Sequence, residues 1–144
     1  AKTIHLLDLN TRRVDKLPGS ERLTSPRWSP DGRYIAALKI YSSYSSQNAL
    51  MLFDLTTQKW TELAQQRAGW PRWSRDGKYI YYSSSGLFRV RIGDRKIEWL
   101  GSRGDFRRAI GVWGSWVGWA LDDSPLVLRD IGTQDIYALE WQTP

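Results

Sequence analysis

The decapeptide PRWSPDGRYI, residues 26–35, decides the fold because it returns as PRWSRDGKYI at residues 71–80. Eight of the ten positions are identical, and the two copies begin 45 positions apart. The Asp-Gly pair in each copy is a turn signal, because aspartate accepts hydrogen bonds from its own backbone and glycine tolerates a positive φ. Strand-forming residues follow both turns, as RYIAAL and KYIYYSS. Each copy therefore predicts a strand, a tight turn and a second strand.

A second block alternates with the decapeptide. IHLLDLNTRRVDKL, residues 4–17, aligns with LMLFDLTTQKWTEL at 50–63 and with LFRVRIGDRKIEWL at 87–100, and IYALEW at 136–141 repeats its first half. Each copy again predicts two strands around a short polar turn. Two consecutive hairpins give a four-stranded antiparallel unit of about 45 residues, which is the period of a β-propeller blade.

Both blocks resemble the TolB-type, or WD40-like, β-propeller repeat. WSPDGRYIA and WSRDGKYIYYSS are similar to the first hairpin of that repeat, and LMLFDLTTQKWTELA and IHLLDLNTRRVDKLP to the second. The closing stretch LVLRDIGTQDIYALEW is similar to the end of propellers attached to bacterial sensor or winged-helix regulatory proteins. The resemblance implies an all-β fold built from four-stranded antiparallel blades, in the C-terminal part of a bacterial propeller.

The strand count predicts one partial propeller domain of about three blades. Two outer strands lie in 1–20, full blades in 21–66 and 67–104, and an incomplete blade of three strands in 105–144. Propellers close with about four to eight blades. We therefore expect either a homo-oligomer, most simply a dimer that closes a ring, or a piece of a larger propeller.

The composition argues against catalysis by this chain. Its 144 residues include no cysteine and one histidine, His5, in the alternating stretch TIHLLDL. Thiol nucleophiles and thiolate metal sites are excluded, and a lone strand histidine predicts neither a Ser-His-Asp triad nor a multi-histidine metal site. Asp31 and Asp76 are turn residues by their spacing, and Asp8 and Asp54 close matching strands. We expect no enzymatic activity, no metal and no cofactor.

The net charge of +6 favours anionic partners or surfaces. Nucleic acid is not the expected partner, because the basic residues are spread over all predicted blades and no nucleic-acid-binding motif occurs. No apolar run is long enough to cross a bilayer, so membrane insertion is not expected. The absence of cysteine is compatible with cytoplasm or periplasm, and the family resemblance favours a periplasmic or other extracytoplasmic location.

Nine tryptophans either fill the space between sheets or line a binding surface. Trp28 and Trp73 end the predicted innermost strand of each full blade, where a large flat side chain fills the gap between adjacent sheets. The alternation in GVWGSWVGW, residues 111–119, also favours packing. We interpret these tryptophans as architecture.

The resemblance implies that binding uses the central channel and the face opposite the SPDG turns, where the inter-blade loops lie. The candidate residues are arginines of these loops and tyrosines of the loop YSSYSSQN, namely Arg22, Arg67, Arg103, Arg107, Arg108, Tyr41 and Tyr44. Arginines that converge at the channel mouth would form a funnel for carboxylate or phosphate groups. The alternative is a set of separate, solvated arginines. Tyrosines among serines suit an adaptable contact loop, or form a merely flexible hairpin.

These features favour a non-catalytic scaffold for protein–protein or ligand recognition through the inter-blade loops, with a protein or peptide as partner. Two alternatives stay open. One is a gating or substrate-binding propeller of a larger enzyme of the prolyl-oligopeptidase type, whose nucleophile would lie elsewhere because no G-x-S-x-G elbow occurs here. The other is a self-assembling structural module.

Overall fold

In the computed structural model, every regular element of the described chain is a β-strand in an antiparallel sheet. The structure describes residues 2–41, 48–65, 67–102, 104, 107–111 and 114–133. The strands are β1 His5–Leu7, β2 Val14–Lys16, β3 Leu23–Trp28, β4 Tyr34–Ile40, β5 Asn48–Asp54, β6 Lys59–Ala64, β7 Gly69–Trp73, β8 Tyr79–Ser83, β9 Leu87–Arg91, β10 Ile97–Gly101, β11 Ile110–Gly111, β12 Gly114–Ser115, β13 Val117–Trp119 and β14 Pro125–Val127. No helix long and apolar enough to span a membrane occurs in these residues.

Two four-stranded sheets carry the fold, each with its strands paired in chain order. The first full blade is β3–β4–β5–β6, inside the range 21–66, and the second full blade is β7–β8–β9–β10, inside 67–104. β1 pairs with β2 as an N-terminal pair, and β13 pairs with β14 as a C-terminal pair. The β11–β12 hairpin has no counterpart in the strand prediction, and the predicted strand in 136–141 lies outside the described residues.

The repeated decapeptide builds the same turn in both full blades. The Ser29 hydroxyl donates to Asp31 Oδ1 at 2.5 Å and accepts the backbone N–H of Tyr34 at 2.8 Å. Gly32 and Gly77 hold the turns with φ of 72° and 70°. The second copy makes the corresponding hydrogen bonds through Ser74, Asp76 and Tyr79. The serine, aspartate and glycine therefore recur because one hydrogen-bonded turn requires all three.

The two full blades pack face to face through an apolar layer. Trp73 is only 6% exposed and stacks on Tyr34 with ring centroids 6.2 Å apart. Its indole Nε1 donates across the interface to the backbone carbonyl of Arg27 at 3.0 Å. Leu50 and Tyr82 are fully buried in the same layer, and burial raises the pKa of Tyr82 to about 12. The interpretation of Trp73 as a filler between sheets is confirmed.

The N-terminal pair covers only part of the other face of the first full blade. Ile4 and Leu17 are buried against Ile35 and Phe53. Trp28 lies directly opposite Ile35 in the β3–β4 register, so both side chains point to this face, yet Trp28 is 53% exposed. The filler interpretation is wrong for Trp28, because the pair β1–β2 places no inner strand over its indole.

The C-terminal pair continues the stack on the second full blade. Trp119 is 3% exposed and stacks on Tyr81 with ring centroids 4.4 Å apart. Val117 and Leu87 are buried in the same apolar cluster as these two rings. Trp119 therefore repeats the role of Trp73 one blade further along the chain, and the packing interpretation holds for it.

Candidate binding groove along the inner strands

The inner strands β3 and β7 are edge strands of their sheets and lie beside each other. Three cavities of about 480, 490 and 480 Å³ follow these edges. The first two share Asn48 and residues 68–70, and the second and third share Arg27. Because neighbouring cavities share lining residues, we refer to the three together as the inner groove. Its loop end lies beside the inter-blade loop before β7, and its turn end lies beside the repeated Asp-Gly turns.

The loop end of the groove offers hydrogen-bonding groups and one cation. Arg67 is exposed there, while Ser83 is buried in the wall and donates its hydroxyl to the carbonyl of Gly69 at 3.3 Å. The side-chain carbonyl of Asn48 is buried and accepts no hydrogen bond from the residues that the structure describes. An unpaired buried acceptor costs about 1–3 kcal/mol.

A bulge shapes the middle of the groove in both inner strands. The register of β3 shifts between Thr24 and Arg27, and a matching shift occurs in β7 before Arg72. The bulged residues Ser25 and Trp70 both have φ of 53°, and a proline follows each of them. Residues other than glycine rarely adopt this conformation, and such strain concentrates at binding and switch sites. Each bulge re-aims its strand just before the arginine.

Three exposed arginines line the turn end of the groove: Arg27, Arg72 and Arg75. None of the three forms an ion pair within the part of the chain that the structure describes. Asp123 lines the same cavity without pairing with any of them. Guanidinium groups present forked donors that fit carboxylate and phosphate oxygens. The turn end is therefore suited to anionic groups.

The carboxylates of the repeated turns already have partners. The Ser29 hydroxyl and the Arg33 backbone N–H donate to Asp31 and hold the pKa of that carboxyl below its usual range. In the second turn, the Lys78 backbone N–H is the main donor that lowers the pKa of Asp76. Both carboxylates serve the turns in which their spacing places them. They stay ionised to low pH.

Among the predicted binding arginines, Arg67 lines the loop end of the groove and Arg22 does not. Arg22 precedes β3 with a φ of 63°. Its backbone N–H donates to the carbonyl of Lys2 at 3.0 Å, and its own carbonyl accepts from Ile40 at 3.2 Å. The structure thus does not bring Arg22 and Arg67 together in one wall of the groove.

Arg107 and Arg108 lie beside the C-terminal pair. Arg107 Nε forms an ion pair with Asp130 Oδ2 at 3.0 Å, which neutralises its charge. Arg108 is half-buried and forms an isolated β-bridge with Arg129. Arg103 lies outside the described residues. The funnel of five arginines stays a prediction.

Tyr41 is held on the surface of the first full blade. Its hydroxyl donates to Glu62 Oε2 at 2.9 Å, and this hydrogen bond raises the pKa of Tyr41 above its ordinary value. The Lys39 ammonium lies 5.4 Å from the centroid of the Tyr41 ring. Tyr44 lies outside the described residues, so the interpretation of its loop as a contact loop stays a prediction.

Sequence reasoning missed the arginines of the turn end, although the repeat contains a signal for them. Arg27 and Arg72 occupy the same position in the two decapeptides, and the shared turn makes no use of their side chains. In the last blade, WVGW at 116–119 aligns with WPRW at 70–73, and Gly118 takes the position of the arginine. The ring of Trp116 lies over Gly118, where it would collide with a Cβ atom. The last blade therefore presents an indole where the full blades present arginines.

Several solved structures share this fold at low sequence identity. TolB from Acinetobacter baumannii aligns at a TM-score of 0.66 and 20% identity, over 91% of this chain and 33% of TolB. The β-propeller domain of the Trilobed protease from Pyrococcus furiosus aligns at 0.62 and 19% identity, over 92% of this chain and 43% of that one. Pyrococcus horikoshii acylaminoacyl peptidase aligns at 0.55 and 15% identity, over 89% and 28% of the two chains.

The matched chains are longer than this one, which spans about a third of TolB and less than half of the protease propeller domain. No protein-family model matches the sequence, and no curated protein sequence does. The structural likeness shows the fold and confirms the predicted all-β blades. The chain has the β-propeller fold that these structures share, with two full four-stranded blades between partial ones.

Proposed function

We propose that this chain is a non-catalytic recognition module that binds a protein or peptide partner through its inter-blade loops and the loop end of the inner groove. The observation that carries the proposal is the groove itself, a row of cavities along the inner strands, of which the one at the loop end is lined by the exposed Arg67. The strands β3 and β7 beside the groove are paired in their sheets, so this part of the groove is ordered before a ligand arrives. Pre-organisation of this kind lowers the entropic cost of association.

The chemistry of the groove supports binding rather than bond-breaking. Arg67, Ser83 and the buried carbonyl of Asn48 supply a charge, a hydroxyl and an acceptor at the loop end. Acid–base catalysis at neutral pH most often uses histidine. The single histidine of the sequence, His5, lies on β1 and does not line the groove. An extracytoplasmic location, supported by the likeness to TolB, completes the proposal.

The test is selection of ligands from a random peptide library displayed on phage, with the 144-residue chain immobilised. Arg67→Glu reverses the charge at the loop end, and Arg12→Glu makes the same change in the exposed β1–β2 turn as a matched control. We expect peptides selected on the wild type to bind the control equally and Arg67→Glu about tenfold more weakly, the effect of one lost charge-assisted hydrogen bond. Failure to enrich any peptide, or equal binding to all three proteins, would overturn the proposal.

A further inference from the structure

The turn end of the inner groove carries a basic cluster that the sequence analysis did not assign. Arg27 and Arg72 come from equivalent positions of the two full blades, and Arg75 follows in the second turn, where the first turn has Pro30. All three line one cavity of about 480 Å³. Like charges that gather in one cavity repel one another unless an anion joins them. The cluster is therefore expected to bind an anionic group.

No carboxylate in the described part of the chain forms an ion pair with the cluster. Arg33, Arg89 and Arg107 each hold a carboxylate oxygen at 3.2, 2.7 and 3.0 Å. The turn-end arginines hold none, and the one side-chain hydrogen bond of Arg27 goes from Nη1 to the carbonyl of Pro26 at 2.9 Å. Their forked donors stay free for an external anion.

Apolar groups border the same cavity. Leu121 is 80% exposed and Trp28 is 53% exposed, and both line the turn end. A ligand that fills this end meets guanidinium groups and apolar side chains together. Carboxylates beside a leucine or an aromatic residue match this lining.

Acidic residues frame the cluster and limit what can bind. Asp31 follows Pro30, Asp76 follows Arg75, and Asp123 lines the cavity itself. A long polyphosphate backbone would place charges against Asp123 as well as at the arginines, whereas a short acidic segment has few charges and can place them at the arginines.

The edges of the inner strands fix how a peptide is held. Pro26 and Pro71 have no backbone N–H, and the bulges before them break the ladder on which an added strand would pair. Recognition must then use side chains rather than strand addition. We infer that the turn end binds an acidic peptide segment of a partner protein, whose carboxylates pair with Arg27, Arg72 and Arg75 and whose apolar residue packs on Leu121. The inference rests on the proposed recognition role and adds a second contact region.

Fluorescence anisotropy tests the inference with a short labelled peptide in which glutamates flank a leucine. The proteins are the wild type, Arg72→Gln, Arg75→Gln, the loop-end variant Arg67→Gln and the control Arg12→Gln, all in about 150 mM salt to screen distant charges. A labelled single-stranded oligothymidylate is measured against the same proteins. We expect saturable binding to the wild type and the control, about tenfold weaker binding to each turn-end variant, and no binding of the peptide with glutamine in place of glutamate.

Four outcomes would overturn the inference. Three of them are no saturable binding to the wild type, equal weakening by Arg12→Gln, and preferential binding of a single-stranded oligothymidylate at the same arginines. The last would indicate a nucleic-acid site instead. Glutamate peptide binding that depends on Arg67 and not on Arg72 would also remove the turn-end site while leaving the recognition function intact. The two proposals can therefore fail separately.

Discussion

Trp28 and Trp73 occupy the same position of one repeated decapeptide and have different environments. Trp73 is 6% exposed between the two full blades, whereas Trp28 is 53% exposed on the face that the N-terminal pair covers only in part. The turns that follow them are the same, down to the serine hydroxyl that donates to the aspartate. Local sequence therefore fixes the turn, and the neighbouring sheet decides what the tryptophan does.

Truncation of the two tryptophans gives the largest contrast. Trp73→Ala removes a buried indole, its stacking on Tyr34 and its hydrogen bond to the carbonyl of Arg27, so we expect a loss of about 3–5 kcal/mol in the free energy of unfolding. Trp28→Ala alters an exposed side chain and should cost less than about 1 kcal/mol. Urea denaturation followed by circular dichroism measures both. Equal losses would show that Trp28 is covered in solution.

The serines of the two turns provide the opposite comparison. Ser29 and Ser74 are 4% and 1% exposed, and each hydroxyl joins an aspartate to a backbone N–H. Ser29→Ala and Ser74→Ala each leave the backbone N–H of the following tyrosine without this acceptor and remove one donor to the aspartate, which should cost about 1–3 kcal/mol. We expect similar losses at both sites, because the network is local. If the denaturation midpoints of Ser29→Ala and Ser74→Ala differ as much as those of the tryptophan variants, the stability of the turn depends on the neighbouring sheet, contrary to this prediction.

Sequence reasoning succeeds where a structure is made by near neighbours. The Asp-Gly turns and the alternation of the strands are local, so the period and the four-stranded blades could be predicted. The exposure of Trp28 could not, because it depends on which strands stand opposite β3. The cluster of Arg27, Arg72 and Arg75 depends on the approach of β7 to β3 and on two bulges with left-handed residues. The repeat did not point to this site, because the turn and packing residues alone explain why the decapeptide recurs. The repeated arginine therefore needed no functional explanation at the level of the sequence.

The smallest expected effect is the contribution of the two turn aspartates to the pH dependence of stability in acid. Hydrogen bonds lower the pKa values of Asp31 and Asp76 from 3.8. The main donor is the Ser29 hydroxyl for Asp31 and the Lys78 backbone N–H for Asp76. A carboxyl whose pKa is lowered by folding stabilises the protein above its unfolded pKa, and this contribution is lost as the pH falls through the folded pKa. Asp31→Asn and Asp76→Asn should each lower the melting temperature at pH 7 and flatten its fall below about pH 4.

Thermal melts of these variants over a pH series measure that change. Asp15→Asn is the matched control, because Asp15 is exposed on β2 and takes no part in either turn. Both turn variants should deviate from the wild type in the same acidic window, because the two networks are the same. If only Asp76→Asn flattens the profile, the turn beside the exposed Trp28 is not formed in solution as it is beside Trp73. The difference between the two tryptophans would then extend to the turns. The conclusion that each turn is formed by its own residues, independent of the neighbouring sheet, would have to be abandoned.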